Sequence, residues 1–159
     1  MIVRRARKTD LPGLTRLLEQ VLMVHYKGRP DLFLPDTRKY TDSELQFIIA
    51  DDMTPVWVAV ADDAKPGEVL GHAFCVVRDY THSNNMAHVK TLYIDDICVD
   101  EAARGHHVGA ALYRHVTDWA RESGFYNVTL NVWVCNPGAR AFYEHLGLIP
   151  YKVGMEQVL

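Results

Sequence analysis

The chain has 159 residues, 48% of them hydrophobic and 23% charged, which is the composition of a globular domain able to bury a real core. Its formal charge of −3 argues against a general affinity for nucleic acid, and no apolar run approaches the ~18 to 20 residues of a membrane span. The first residues, Met1 to Pro12, include basic side chains but lack the apolar stretch of a signal peptide, so a cytoplasmic setting is expected. Cys75, Cys98 and Cys135 are odd in number and show no CxxC spacing, which suits reduced thiols.

Taken in order, residues 2–6 read as a short strand, and the basic cluster Arg4, Arg5, Arg7 and Lys8 as its solvated edge. Thr9 is placed to cap a helix in which Leu11, Leu14, Leu17, Leu18, Val21 and Leu22 recur at helical spacing, with Pro12 tolerated in the first turn. Gly28 to Asp36 reads as a loop. Thr41-Asp42-Ser43-Glu44 then forms a capping-box signature for a second helix through about Ala50. Val56–Ala61 and Val69–Val77 read as a hairpin around Asp62, Asp63, Pro66 and Gly67. A strand over His88–Val99 leads into a long amphipathic helix stopped by Gly124. Asn127–Val134 is a further strand. Asn136 and Pro137 open a last helix ending at Gly147, and Tyr151–Leu159 is expected to close the chain as a strand. The order is β-α-α-β-β-β-α-β-α-β, an α/β (α+β) fold with a mixed sheet, read as one domain over 1–159.

One junction has chemistry built into it. The apolar strand gives out at Val99, and Arg104-Gly105-His106-His107-Val108-Gly109 opens the long helix. The first turn of a helix leaves backbone N–H groups unpartnered and carries positive potential, so strand–turn–helix is an anion cradle. The segment resembles the acetyl-CoA-binding motif of the GNAT N-acetyltransferase superfamily, Arg/Gln-x-x-Gly-x-Gly/Ala after a strand ending in Val. Val99, Arg104 and Gly109 match, whereas His107 stands where the motif has its middle glycine. Histidine visits the positive-φ region more than most side chains. His106 and His107 either donate to a pyrophosphate or point to solvent. With His115 they lack the usual spacing of metal ligands, and no metal is expected.

A second stretch, Asn136-Pro137-Gly138-Ala139-Arg140-Ala141-Phe142-Tyr143-Glu144-His145-Leu146-Gly147-Leu148, resembles the same family's Asn-x-x-Ala-x-x-Phe-Tyr-Glu-x-x-Gly-Phe pattern. The resemblance covers nearly the whole chain and implies the GNAT fold, with acetyl-CoA as acetyl donor. It implies that Arg104, Gly105, His106, His107, Val108, Gly109 and Ala110 frame the pyrophosphate, and that Asn136 and Ala139 lie along the cofactor. Ile97, Cys98 and Val99 would flank the pantetheine arm where two strands splay, and Tyr143 would protonate the departing thiolate. Nothing gives Cys98 the base partner of a nucleophile.

Asp95 and Asp96 interrupt an apolar strand. Alternation puts Tyr93, Asp95, Ile97 and Val99 on one face and Ile94, Asp96 and Cys98 on the other. The family places its base an even number of residues before the Val, which favours Asp95, with Asp96 the alternative. Burial would raise such a carboxyl toward a useful value. Residues 26–64 hold eight Asp/Glu against four Lys/Arg, a bias toward a cationic acceptor. The Tyr-Ile-Asp-Asp run resembles that of polyamine acetyltransferases. The expected reaction is transfer from acetyl-CoA to a primary amine, with no nucleic acid or membrane partner. Transfer to protein N-termini or lysines, or acyl-CoA sensing without turnover, stay open. Dimers are common among the family, so a homodimer is also an expectation.

Overall fold

The sheet begins with β1 (Ile2–Arg5), which pairs antiparallel with β2 (Val56–Val60); the computed structural model describes every residue, Met1–Leu159. Between them a 3-10 turn at Lys8–Asp10 leads into α1 (Leu11–Gly28). Asp10 rather than Thr9 takes the cap position. Its buried carboxylate accepts from Arg4 at 2.7 and 3.0 Å and from the Arg7 N–H at 2.8 Å. Arg4 therefore leaves the solvated basic edge and serves as the counter-charge of an interior acid. Leu14 and Leu17 of α1 are fully buried, each contributing about 1.5–3 kcal/mol of transfer free energy. The capping box forms as expected at α2 (Asp42–Ala50), with Thr41 N to Glu44 Oε2 at 2.7 Å and Glu44 N to Thr41 Oγ1 at 3.3 Å.

Beyond β2 lie β3 (Gly71–Asp79) and β4 (Lys90–Val99), both antiparallel to their predecessors. Helix α3 (Val108–Glu122) then carries the chain across to β5 (Asn127–Leu130), which pairs parallel to β4, and α4 (Pro137–His145) follows. The five strands stand in sequence order. One face packs α1 and α2 through Leu14, Leu17, Leu45, Val58, Phe74 and Cys98. The other packs α3 through Trp57, Ala73, Ile94, Leu112 and Val116.

Two further expectations fail in β4 and at the C-terminus. Strict alternation along β4 is broken by a bulge: the register passes from Cys75↔Ile94 to Phe74↔Asp96 and skips Asp95. One extra residue resets the pleat. Ile97 and Val99 thus join Ile94 on the α3 face, while Cys98 packs among the α1 and α2 side chains beside Phe74. The terminal strand is also missing, because residues 149–159 are exposed and lie outside every helix and strand. Tyr151, Val153 and Met155 alternate as a strand would. Pro150 offers no donor to a ladder, Gly154 weakens a strand, and the outer edge of β5 stays unpaired. The tail is held instead by Glu156, whose carboxylate accepts from Arg29 at 2.9 Å through both oxygens.

Candidate active site

The junction after β4 is fixed from several sides. Asp100 caps a 3-10 turn at Glu101–Ala103 by accepting from the Ala102 N–H at 3.0 Å. Arg16 of α1 pairs with the same carboxylate and donates to the Val69 carbonyl at 3.0 Å. Gln20 of α1 accepts from the Glu101 N–H at 3.2 Å. The chain then turns through Gly105 at φ 82° and His107 at φ 59°, ψ 16°, so the histidine adopts the left-handed conformation that glycine fills most readily. Every backbone N–H from Gly105 to Ala110 lacks an acceptor within the protein; the first bond from this stretch is Ala111 N–H to the His107 carbonyl. A run of free donors at the positive end of a fifteen-residue helix fits a pyrophosphate. A Cβ at Gly109 would lie 3.2 Å from Phe142 Cζ and 3.4 Å from Val99 Cγ2, so the bare position lets α3 close on α4 and β4. The side chains of Arg104, His106 and His107 are exposed, with Arg104 near Glu101 at 3.5 Å. His115 packs on Trp57 at 4.5 Å, spent on the core.

β4 and β5 part after Ile94↔Leu130, leaving Asp95–Val99 without a partner on that side. This is the expected splay. Near it, Asn136 caps α4 by accepting from the Ala139 N–H at 3.1 Å, and Ala139 and Tyr143 share a helix face one turn apart. Burial pushes the Tyr143 phenol above its ordinary range, and Asp96, Tyr113 and Cys98 push it further, so it remains a proton donor at neutral pH. Burial also raises the Cys98 thiol to about 12, which leaves it inert as a nucleophile.

The two aspartates separate sharply. Asp95, the bulged residue, is exposed and accepts from Lys39 Nζ at 2.8 Å. Asp96 is only 8% exposed, lies 4.0 Å from the same ammonium and 3.9 Å from His72 Nε2. His72 is fully buried, T-stacked on Phe74, and neither ring nitrogen has a hydrogen-bond partner. Burial raises Asp96, but the His72 imidazole beside it, with Lys39 and His25, outweighs this and holds the carboxyl below its ordinary value. The expected upward shift therefore does not occur, because burial comes with counter-charges. His25 of α1 is pushed down by burial and forms an aromatic group with Phe33 and Trp133 at 5.1 and 6.4 Å. Lys39, His72 and His25 were not marked by any motif. His72 alone carries a signal, as the one basic side chain in the apolar run Val69–Val77.

A donor cradle at a strand–helix junction, opening on a gap between parallel strands, defines the class: a domain built to hold a phosphate-bearing ligand. The Acetyltransferase (GNAT) family model matches residues 19–148, and the chain belongs to that family, whose acetyl donor is acetyl-CoA. Glucosamine 6-phosphate N-acetyltransferase 1 of Oryza sativa subsp. japonica is 33% identical over 98 residues, covering 62% of this chain and 56% of the relative. The chain thus matches little more than half the length of that protein. The BH1408 protein of Bacillus halodurans, solved as a tetramutant, superposes with a TM-score of 0.92 at 28% identity over the whole of both chains. An aminoglycoside acetyltransferase from an uncultured soil metagenomic sample, solved with sisomicin, shares the fold with a TM-score of 0.75 at 19% identity, over 99% of this chain and 95% of its own. No helix is long and apolar enough to cross a membrane.

Proposed function

We propose that this chain, acting as one domain over 1–159, transfers the acetyl group of acetyl-CoA to a primary amine in a ternary complex, the acceptor being a small polyamine-like cation. The observation that carries the reading is the run of free N–H groups from Gly105 to Ala110 beside the parted strands, with Asp96 and Tyr143 near the opening. These donors would hold the pyrophosphate, with Arg104, His106 and His107 at the rim. Ile97, Cys98 and Val99 would line one side of the pantetheine arm, Asn136 and Ala139 the other. When bound, acetyl-CoA supplies the acetyl group as a thioester.

An alkylamine acceptor has a pKa of about 10.4 and arrives as ammonium. Asp95, at the surface, recognises that charge. Asp96, the buried member of the pair, takes up the proton and passes it on to solvent. The freed nitrogen forms the C–N bond as the C–S bond breaks, and the second proton it then carries leaves by the same route, through Asp96 to solvent. Tyr143 then gives its proton to the leaving sulfur and regains one from solvent.

The rice relative's name favours a second acceptor of the same reaction type, glucosamine 6-phosphate, itself a primary amine. A thiol-release assay with acetyl-CoA and a panel of polyamines, glucosamine 6-phosphate and peptides tests the reading. Release stimulated by spermidine supports it. Release only with the amino sugar moves the acceptor, and release only with peptides points to a protein acetyltransferase. Tight acetyl-CoA binding with no transfer to any acceptor would leave a sensor. A cytoplasmic setting is supported by three unpaired cysteines. A homodimer is supported by the unpaired edge of β5 and the exposed apolar tail.

A further inference from the structure

The connection between α1 and α2, residues 29–41, contains no helix or strand, yet it delivers one side chain into the acidic corner. Lys39 Nζ donates to Asp95 Oδ2 at 2.8 Å and stands 4.0 Å from Asp96 Oδ2. It also lies 5.3 Å from the centre of the Tyr40 ring, an arrangement that attracts a cation. Two carboxylates and an aromatic face are the partners an acceptor ammonium would need, and here they surround the ammonium of Lys39. The corner carries a further sign that it is built for a ligand: His72 is fully buried against Asp96 with both ring nitrogens unpartnered, a cost that an interior histidine meets only where water or a ligand completes it.

We propose that Lys39 is an internal stand-in for the acceptor amine, occupying the Asp95–Asp96 subsite until a cationic acceptor displaces it. The inference rests on the reading of this corner as the acceptor side. It adds that the 29–41 connection must move when the acceptor binds. Burial pulls the Lys39 amine down, but its hydrogen bond to Asp95 and the charge of Asp96 more than offset this, so the stand-in stays charged like the molecule it mimics. The Lys39 side chain is still 38% exposed, so the pair is screened and the block is shallow enough to yield. A site open for only part of the time binds its ligand more weakly by that fraction. Selectivity follows: an acceptor with a primary ammonium can replace what Lys39 gives up, whereas a neutral amide or a hydroxyl cannot.

The test compares wild type with Lys39→Met, Lys39→Ala and Lys39→Arg, using spermidine and acetyl-CoA. Removing the charge should lower the spermidine KM by about fivefold, the scale of one screened pair, and leave the acetyl-CoA KM where it was. Lys39→Arg should keep the wild-type value. A merely structural lysine would move these numbers the other way, raising KM and lowering the melting temperature. Calorimetric titration of spermidine into wild type and Lys39→Met reads the same competition without turnover, so it remains decisive if no transfer is seen. An equal or weaker affinity for spermidine in Lys39→Met overturns the proposal. The acetyl-transfer reading fails separately, by absence of any acetyl-CoA-dependent rise in melting temperature.

Discussion

Around Gly105–Ala110 the chain offers main-chain N–H groups, whereas the acidic corner is made of side chains brought from three segments, Lys39, His72 and the Asp95–Asp96 pair. The contrast explains what each half tolerates. At the cradle a histidine can stand where glycine is usual, because the donors need only the backbone angles, and His107 reaches them at φ 59°. At the corner no such freedom exists. Removing the Asp96 carboxylate strips the fully buried His72 of the charge 3.9 Å away, whereas Lys39 and Asp95 lie in solvent and are screened.

The comparison breaks hardest at the phenol between the two halves. Tyr143→Phe keeps the ring and the packing on Phe142 but removes the proton donor, and kcat should fall by about 10²–10³-fold. The acetyl-CoA-induced rise in melting temperature should survive. Loss of both would mean that Tyr143 holds the fold of α4 rather than the chemistry.

Asp96→Asn should lower kcat/KM for the amine by about 10²-fold with little change in acetyl-CoA affinity. It has a second signature in stability. The Asp96 carboxyl sits below its ordinary value, so its charge stabilises the fold above about pH 4, and that contribution is lost as pH falls through the lowered native value. Melting temperature should therefore drop more steeply on acidification in wild type than in Asp96→Asn. Parallel curves would show that Asp96 is not held charged by its neighbours.

The smallest effect is expected where a side chain replaces glycine in the cradle. His107→Gly relieves a left-handed residue that costs about 1–2 kcal/mol but adds chain entropy worth about 0.5–1 kcal/mol, so stability should rise by no more than about 1.5 kcal/mol. Acetyl-CoA affinity should hold or tighten. A tenfold loss would instead give the exposed imidazole a direct contact with the ligand.

The same division decides how much could be read from the sequence. The cradle, the capping box at Thr41 and the Asn136 cap are local, set by residues within a turn of one another, and all three stand where the spacing puts them. The placement of Tyr143 and Asn136 on one helix was legible because their motif is contained within it. The acidic corner depends on a bulge at Asp95, and no composition or periodicity announces one extra residue in a strand. That bulge turned Ile97 and Val99 to the α3 face and left Asp95, not Asp96, at the surface. Lys39 reaches Asp95 across 56 positions of sequence, a pairing that only the folded chain displays. The terminal strand was misplaced for the opposite reason: the alternation of Tyr151, Val153 and Met155 is real, but a strand also needs a neighbour.

Hydrogen–deuterium exchange with and without acetyl-CoA addresses the cradle most directly, since the donors at issue are exchanging amides. The account predicts slowed exchange concentrated at Gly105 to Ala110, together with the Ile97–Val99 edge of β4. Protection confined to another part of the molecule, or none at saturating acetyl-CoA, would contradict it.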